Sequence, residues 1–206
     1  MFDPMSTRRP GPWGTSPWTG GRSGDAEDDR EVAWVEAGGR GTGATVRLST
    51  REARERFAAG RVARLATSGP GGQPLVVPVT FAVTDLAAAG APPGGRGAPA
   101  EAVVSIVDHK PKSTSTGLRR LRDIAANPRV SLLVDHYEDD WERLWWARVD
   151  GLARIVLADE AEHAATRAAL AARYAQYRQV PPGGPAIIVT GLRWSGWAYA
   201  DAGAGG

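Results

Sequence analysis

The sequence predicts a mainly β domain with flanking helices, an α+β fold built as an antiparallel barrel. Two observations carry this. Six stretches have the composition or the alternation of strands, and most of them follow one another without an intervening helix. A doubly wound parallel sheet would need a crossover of a dozen or more residues, usually a helix, between successive strands.

"STREARERFAAGR" opens on a Ser/Thr cap, has helical composition and stops at Gly60. "VARLATS" alternates Val62, Arg64 and Ala66 against Ala63, Leu65 and Thr67, the period of a strand. "GPGGQP" has the chemistry of a hairpin turn, and "PLVVPVTFAV" follows as a second strand in which Pro78 requires an edge or a bulge. "AVVSIVD" is the third strand. "STSTGLRRLRDIAAN" places Leu118, Leu121, Ile124 and Ala125 at helical spacing, and Asn127-Pro128 ends it. "RVSLLVDHY" and "LWWARVDGLARIVL" are strands four and five, joined through the acidic turn "EDDWER". "DEAEHAATRAALAARYAQY" is a helix whose Asp159 and Glu162 have capping-box spacing. "PAIIVTGLRWSGWAYA" is the last strand or pair of strands.

Composition bounds the rest. The chain has 206 residues, a formal charge of +2 and no cysteine, so disulfides, thiolate metal sites and cysteine nucleophiles are excluded. So small a charge makes no electrostatic case for nucleic acid. No stretch is apolar for long enough to span a bilayer, and no apolar run follows the N-terminal arginines as in a secretory signal, so no membrane partner and a cytoplasmic location are expected. Residues 1–45, rich in Gly, Pro, Ser, Thr and charge, read as a disordered N-terminal extension. Trp13, Trp18 and Trp34 are unusual in such a segment and could dock on the domain or a partner. Residues 46–202 form the domain and 203–206 a disordered end. Residues 87–102, "AAAGAPPGGRGAPAEA", read as a flexible hairpin loop.

Of the 25 basic side chains, two are lysines, Lys110 and Lys112, in "DHKPKSTST". This stretch joins strand three to the inserted helix, which puts Ser113 to Thr116 at a helix N-terminus, where free amides and the dipole favour an anion. A lysine acts there as a point charge, whereas arginine brings a broad fork. Two readings stand: a phosphate site, or ordinary Ser/Thr caps beside solvated lysines.

Three blocks occur in the order seen in one superfamily: "RVARLATSGPGGQPLVVPVTF", "DHKPKSTSTGLRRLRDIAANPRVSLLVDHY" and "DWERLWWARVDGLARI". Over roughly residues 47–200 the chain resembles the pyridoxamine-phosphate-oxidase-like split-barrel proteins. The block "LRDIAANPRVSLLVDHYEDDWERLWWARVDG" is similar to their branch of F420-dependent oxidoreductases. The resemblance implies a six-stranded split β-barrel, like that of FMN-binding proteins, in a homodimer with the cofactor in a groove between subunits. It implies that Lys110, Lys112, Ser113 and Thr114 meet the cofactor phosphate. The ring would lie beside Pro78, Val79 and Thr80, and Trp145, Trp146 and Arg148 of the partner's fifth strand would close the groove. The helical segment between Lys112 and Asn127 is longer than in related branches, which leaves open which lysine holds the phosphate. The activity implied is hydride transfer between coenzyme F420 and a small organic substrate. FMN is the alternative cofactor, and a cofactor or tetrapyrrole carrier or sensor is the alternative function.

Strand alternation puts Trp146, Arg148 and Asp150 on one face and Trp145, Ala147 and Val149 on the other. Arg148 could hold an anionic ligand or form a surface pair with Asp150. His109, His136 and His163 have no metal-ligand spacing, so no metal site is expected. His163 reads as a solvated helix residue, His136 as a core or interface histidine, and His109, beside the lysines, as the functional candidate of the three. "EDDWE" lacks the spacing of a calcium loop. Arg193, Trp194 and Trp197 could wall the ring pocket or seal the end of the barrel.

Overall fold

The computed structural model describes residues 44–86, 101–108 and 118–200. Among them the elements run β1 (Ala44–Arg47), α1 (Thr50–Ala59), β2 (Ala63–Ser68), β3 (Pro74–Val79), β4 (Ala82–Asp85) and β5 (Glu101–Ile106). They continue with α2 (Arg119–Ala126), β6 (Arg129–His136), β7 (Trp145–Val156), α3 (Ala161–Arg173), α4 (Ala175–Gln179) and β8 (Ala186–Ala200). The strands pair antiparallel in the order β3-β2-β6-β7-β8-β5-β4, with β1 added on β8. This is the expected α+β barrel class, with eight strands in place of six. No helix among the described residues is long and apolar enough to cross a membrane.

Two differences account for the count. β1 lies against Trp197–Ala200 at the end of β8, and its four residues are too few to carry a period. The stretch "PLVVPVTFAV" is two strands, broken at Thr80–Phe81. That break shapes the barrel. β3 and β4 lie at opposite ends of the strand path. Six strand spacings of about 4.8 Å would put those ends roughly 29 Å apart in a flat sheet. The chain from Val79 to Ala82 spans at most about 11 Å. The sheet therefore curls until its two edges approach, and it stays open beyond the corner. Pro78, which cannot donate to a ladder, sits on edge strand β3 as its chemistry requires.

Phe57, Leu65, Phe81, Val103, Leu132, Val149 and Val189 fill the barrel. On the other side of β5 and β8, Val104, Ile188, Leu170, Tyr174 and Tyr177 form a second core beneath α3 and α4. α1 plugs one barrel end through Ala53 and Phe57, the latter edge-on to Trp194 at 5.3 Å. Ser49 and Glu52 form a capping box that starts α1, and Gly60 ends it.

Three local expectations are corrected. α2 has Leu118 at its N-cap with no side-chain cap bond, so Ser113–Thr116 precede its first turn and lie outside the described residues. α3 is capped at Glu160, not Asp159, and no side chain closes a box there. Glu160 instead accepts from the Leu157 amide at 2.6 Å, and Glu162 pairs with Arg154 across to β7. His163 is 2% exposed, not solvated, and its Nε2–H donates to the Gly184 carbonyl at 2.9 Å.

Between the pairs Asp150–Arg193 and Leu152–Thr190, Gly151 on β7 faces two residues, Gly191 and Leu192, on β8. Gly191 has φ +64°, and a side chain on Gly151 would meet the Thr190 carbonyl at 2.7 Å. This glycine-built bulge is of the kind that bends the strand carrying the extra residue, here β8.

Candidate functional site: a cleft at the barrel split

The corner Thr80–Phe81 lies between two ladders, so another group must satisfy its backbone. Tyr174 does so. Its hydroxyl accepts from the Phe81 amide at 3.1 Å and lies 2.8 Å from the carbonyls of Phe81 and Arg61, to which its single proton can go. The Arg173 guanidinium stacks over the Phe81 ring at 5.2 Å, and Arg61 covers the Tyr174 ring at 4.5 Å. One turn on, Tyr177 reaches Thr80, with the two hydroxyl oxygens 2.8 Å apart. The C-terminal end of α3 and the whole of α4 thus brace the corner.

Beside it opens a cleft of about 270 Å³ lined by Val77–Thr80, Ser105–Asp108, Arg120 and Ile187. Its walls are apolar: Val77, Pro78, Val79, Ile106, Val107 and Ile187. Its polar groups are the hydroxyls of Thr80 and Ser105, the Asp108 carboxyl and the Arg120 guanidinium. Arg120 Nε is buried and has no hydrogen-bond partner among the described residues. Burial pushes the Arg120 guanidinium below its ordinary pKa, and the Asp108 charge opposes that shift. A half-buried cation with an unsatisfied N–H at an apolar cleft is suited to an anion.

Pro78, Val79 and Thr80 line this cleft. Lys110, Lys112, Ser113, Thr114 and His109 lie outside the described residues, directly after Asp108 in the chain. Trp145, Trp146 and Arg148 are elsewhere on the same chain. Trp145 points inward and packs on the core, while Trp146 and Arg148 face outward. Arg148 pairs with Asp150 at 3.1 Å, and Ser131 donates to the same carboxylate at 2.5 Å. Trp194 seals the barrel against Phe57 and Arg193 faces out. His136 binds Glu138 at 2.9 Å and stacks on Trp145. Among the described residues no group of His, Asp and Glu could hold a metal ion.

Arg120 was missed because "LRRLR" reads as solvated helix charge. Its signal was spacing: it precedes the buried Ile124 by four and so shares the inward stripe of α2.

The outward face of β2, β6, β7 and β8 carries two further grooves. One of about 410 Å³ is lined by Arg64, Val76, Ser131, Leu133, Trp146 and Arg148. The other, about 700 Å³, lies over the β7–β8 bulge and includes Arg129, Arg148, Arg193 and Leu152. Val76 is 60% and Leu152 51% exposed on this face.

A curled antiparallel sheet open at one seam is the architecture of a split barrel. Residues 49–198 match the pyridoxamine 5'-phosphate oxidase family, and the chain belongs to that family. The fold is similar to that of a FAD-binding protein from Mesorhizobium loti, with TM-score 0.50 and 23% identity over 77% of this chain and 99% of that one. It is also similar to a conserved hypothetical protein from Mycobacterium tuberculosis, with TM-score 0.50 and 20% identity over 75% and 85% of the two chains. No curated protein matches the chain.

Proposed function

We propose that this chain is an oxidoreductase that holds coenzyme F420 at the barrel split and reduces a small organic substrate; FMN is the alternative cofactor. The observation that carries the reading is the cleft itself. Its apolar walls fit the edge of a tricyclic ring, and the orphaned Arg120 Nε–H fits an anionic oxygen. Asp108 lines the cleft, and the lysine-bearing stretch follows Asp108 in the sequence. The preference for F420 over FMN rests on the block from Leu121 to Gly151, which is similar to the F420 branch.

The reading includes a homodimer. A cleft of 270 Å³ falls short of the roughly 300–1,000 Å³ that ordinarily encloses a cofactor. A second copy would complete it by supplying Trp146 and Arg148 from its own outward face. A cytoplasmic setting belongs to the same proposal.

When bound, the cofactor supplies the hydride chemistry. The chain's residues do the rest. Val77–Val79 and Ile187 would exclude water from the ring, Thr80 and Ser105 would offer it hydroxyls, and Arg120 with Lys110 or Lys112 would neutralise the phosphate. The test is a binding titration of the purified protein with F420 and with FMN, followed by a screen for substrate-dependent oxidation of reduced F420. Binding of F420 in preference to FMN is expected. A protein that takes up neither would overturn the reading.

A further inference from the structure

The Thr80–Tyr177 pair contains a direction that oxygen positions alone do not give. Each hydroxyl has one proton, and the oxygens are 2.8 Å apart. Tyr177 is buried in the second core, and its ring meets that of Tyr174 edge-on at 5.5 Å. Among the described residues its hydroxyl has one partner, Thr80. Tyr174 does not serve: among the described residues its hydroxyl bonds the Phe81 amide and the Phe81 and Arg61 carbonyls, not Tyr177.

The two possible arrangements differ in cost. If Thr80 donates, the Tyr177 proton is left buried with no acceptor, the expensive condition for a polar group. If Tyr177 donates, its buried proton has an acceptor, and the Thr80 proton is free to turn towards the cleft that Thr80 lines. The geometry points to the second arrangement. We infer that Thr80 is a hydrogen-bond donor aimed into the cleft, that Tyr177 positions and polarises it, and that the pair selects a bound ring presenting an acceptor there, a carbonyl oxygen or a ring nitrogen lone pair. A donating neighbour strengthens the hydroxyl it donates to, so Tyr177 acts on the ligand through Thr80. This inference rests on the proposed cofactor site and adds its specificity.

The experiment compares Tyr177→Phe, Thr80→Val and the double variant, each titrated with F420 and with FMN, with the absorption band of the bound chromophore recorded. A neutral hydrogen bond corresponds to roughly two- to tenfold in affinity. Thr80→Val should weaken binding of the preferred cofactor by about that factor and shift its band. Tyr177→Phe should shift the band the same way and weaken binding by no more than Thr80→Val, at a melting temperature close to wild type. The double variant should bind like Thr80→Val. Tyr177→Phe binding as wild type does, with an unchanged band, would overturn the positioning role, and so would additive losses in the double variant. A wild-type protein that binds neither cofactor would overturn the function instead. The bond direction has a separate readout in the ligand-free protein: the tyrosine Raman doublet, as wild type minus Tyr177→Phe, should report Tyr177 as a donor. An acceptor signature would overturn the assignment.

Discussion

The Arg148 guanidinium lies 3.1 Å from the Asp150 carboxylate on the outward face of β7, and Ser131 on β6 donates to the same carboxylate at 2.5 Å. Arg148 is therefore neutralised within its own chain and is held along the sheet. A salt-linked arginine set among Val76, Leu133 and Trp146 lines a partly apolar groove, the kind of surface the proposed second copy would cover.

The first prediction follows from that face. The wild-type protein should sediment as two chains at low concentration. Val76→Glu places a charge on an exposed edge-strand position, where it leaves the barrel core intact. It should yield a folded monomer with weakened cofactor binding. A monomeric wild type, or a Val76→Glu dimer with unchanged affinity, would count against an interfacial site.

The second concerns Arg120, which lines the cleft, and the proposed phosphate ligands Lys110 and Lys112. Charged hydrogen bonds contribute roughly 1.5–3 kcal/mol each, which is about ten- to a hundredfold in affinity. Lys112→Ala and Arg120→Ala should each weaken cofactor binding by such a factor, with circular dichroism unchanged. Lys110→Ala should do less, and Lys112→Arg should restore binding only in part, because the guanidinium fork replaces a point charge. An analogue of the cofactor without its phosphate should bind wild type and Lys112→Ala alike. Equal weakening of that analogue would show that Lys112 meets something other than phosphate.

The third tests how α2 is held. The Thr67 hydroxyl donates to the buried Asp123 carboxylate at 3.0 Å, and Asn127 donates to the Ser68 carbonyl at 3.1 Å. Asp123→Ala should destabilise the domain by about 1.5–3 kcal/mol, the loss of a charged hydrogen bond at a buried site. Thr67→Val should cost less, since the carboxylate keeps Arg119 at 3.6 Å. Thermal unfolding of both variants checks the order; a larger loss in Thr67→Val would reverse the assignment.

The fourth concerns pH. The Ser49 hydroxyl and amide both donate to Glu52, which lowers the Glu52 pKa from its ordinary value. A carboxyl whose folded pKa lies below its unfolded one stabilises fully above the unfolded pKa, and that contribution fades as pH falls through the folded pKa. Glu52→Gln should therefore lower the melting temperature at neutral pH, and the difference from wild type should shrink as the pH falls below the usual range of glutamate. A constant difference across that range would sink the linkage.

The sequence was most informative where one physical signal decided the outcome. Ser49, Glu52 and Gly60 bound α1 because cap chemistry is local. Ala63, Leu65 and Thr67 are the buried face of β2 because alternation on a half-buried strand has a single solution. It was silent where the deciding partner is distant. Nothing near Thr80 announces that Tyr174 and Tyr177, more than ninety residues on, will complete the corner. His163 looked solvated because its acceptor, the Gly184 carbonyl, belongs to a loop that only folding brings near. Arg120 was hidden differently: its spacing was visible, but a charge on a helix is usually at the surface.

The fifth prediction separates the N-terminal extension from the barrel. β1 begins at Ala44 and pairs residue by residue with the end of β8: Ala44 with Ala200, Thr45 with Tyr199, Val46 with Ala198 and Arg47 with Trp197. Leu48 then donates its amide to the Gly196 carbonyl at 3.0 Å and buries its side chain against Ala53 and Ala198. A chain starting at Gly41 keeps all of this, and its melting temperature and cofactor affinity should equal those of the full protein. A chain starting at Ser49 loses the β1 ladder and buried Leu48. Full burial of a leucine contributes about 1.5–3 kcal/mol, and each kcal/mol moves the midpoint of a domain this size by roughly 2–4 °C. The shorter chain should therefore melt at least several degrees lower. Its cofactor affinity should change little, because β1 lines none of the cleft. If removing residues 1–40 alone lowers the midpoint or the affinity, then Trp13, Trp18 or Trp34 contributes to the functional protein, and the extension is part of the machine.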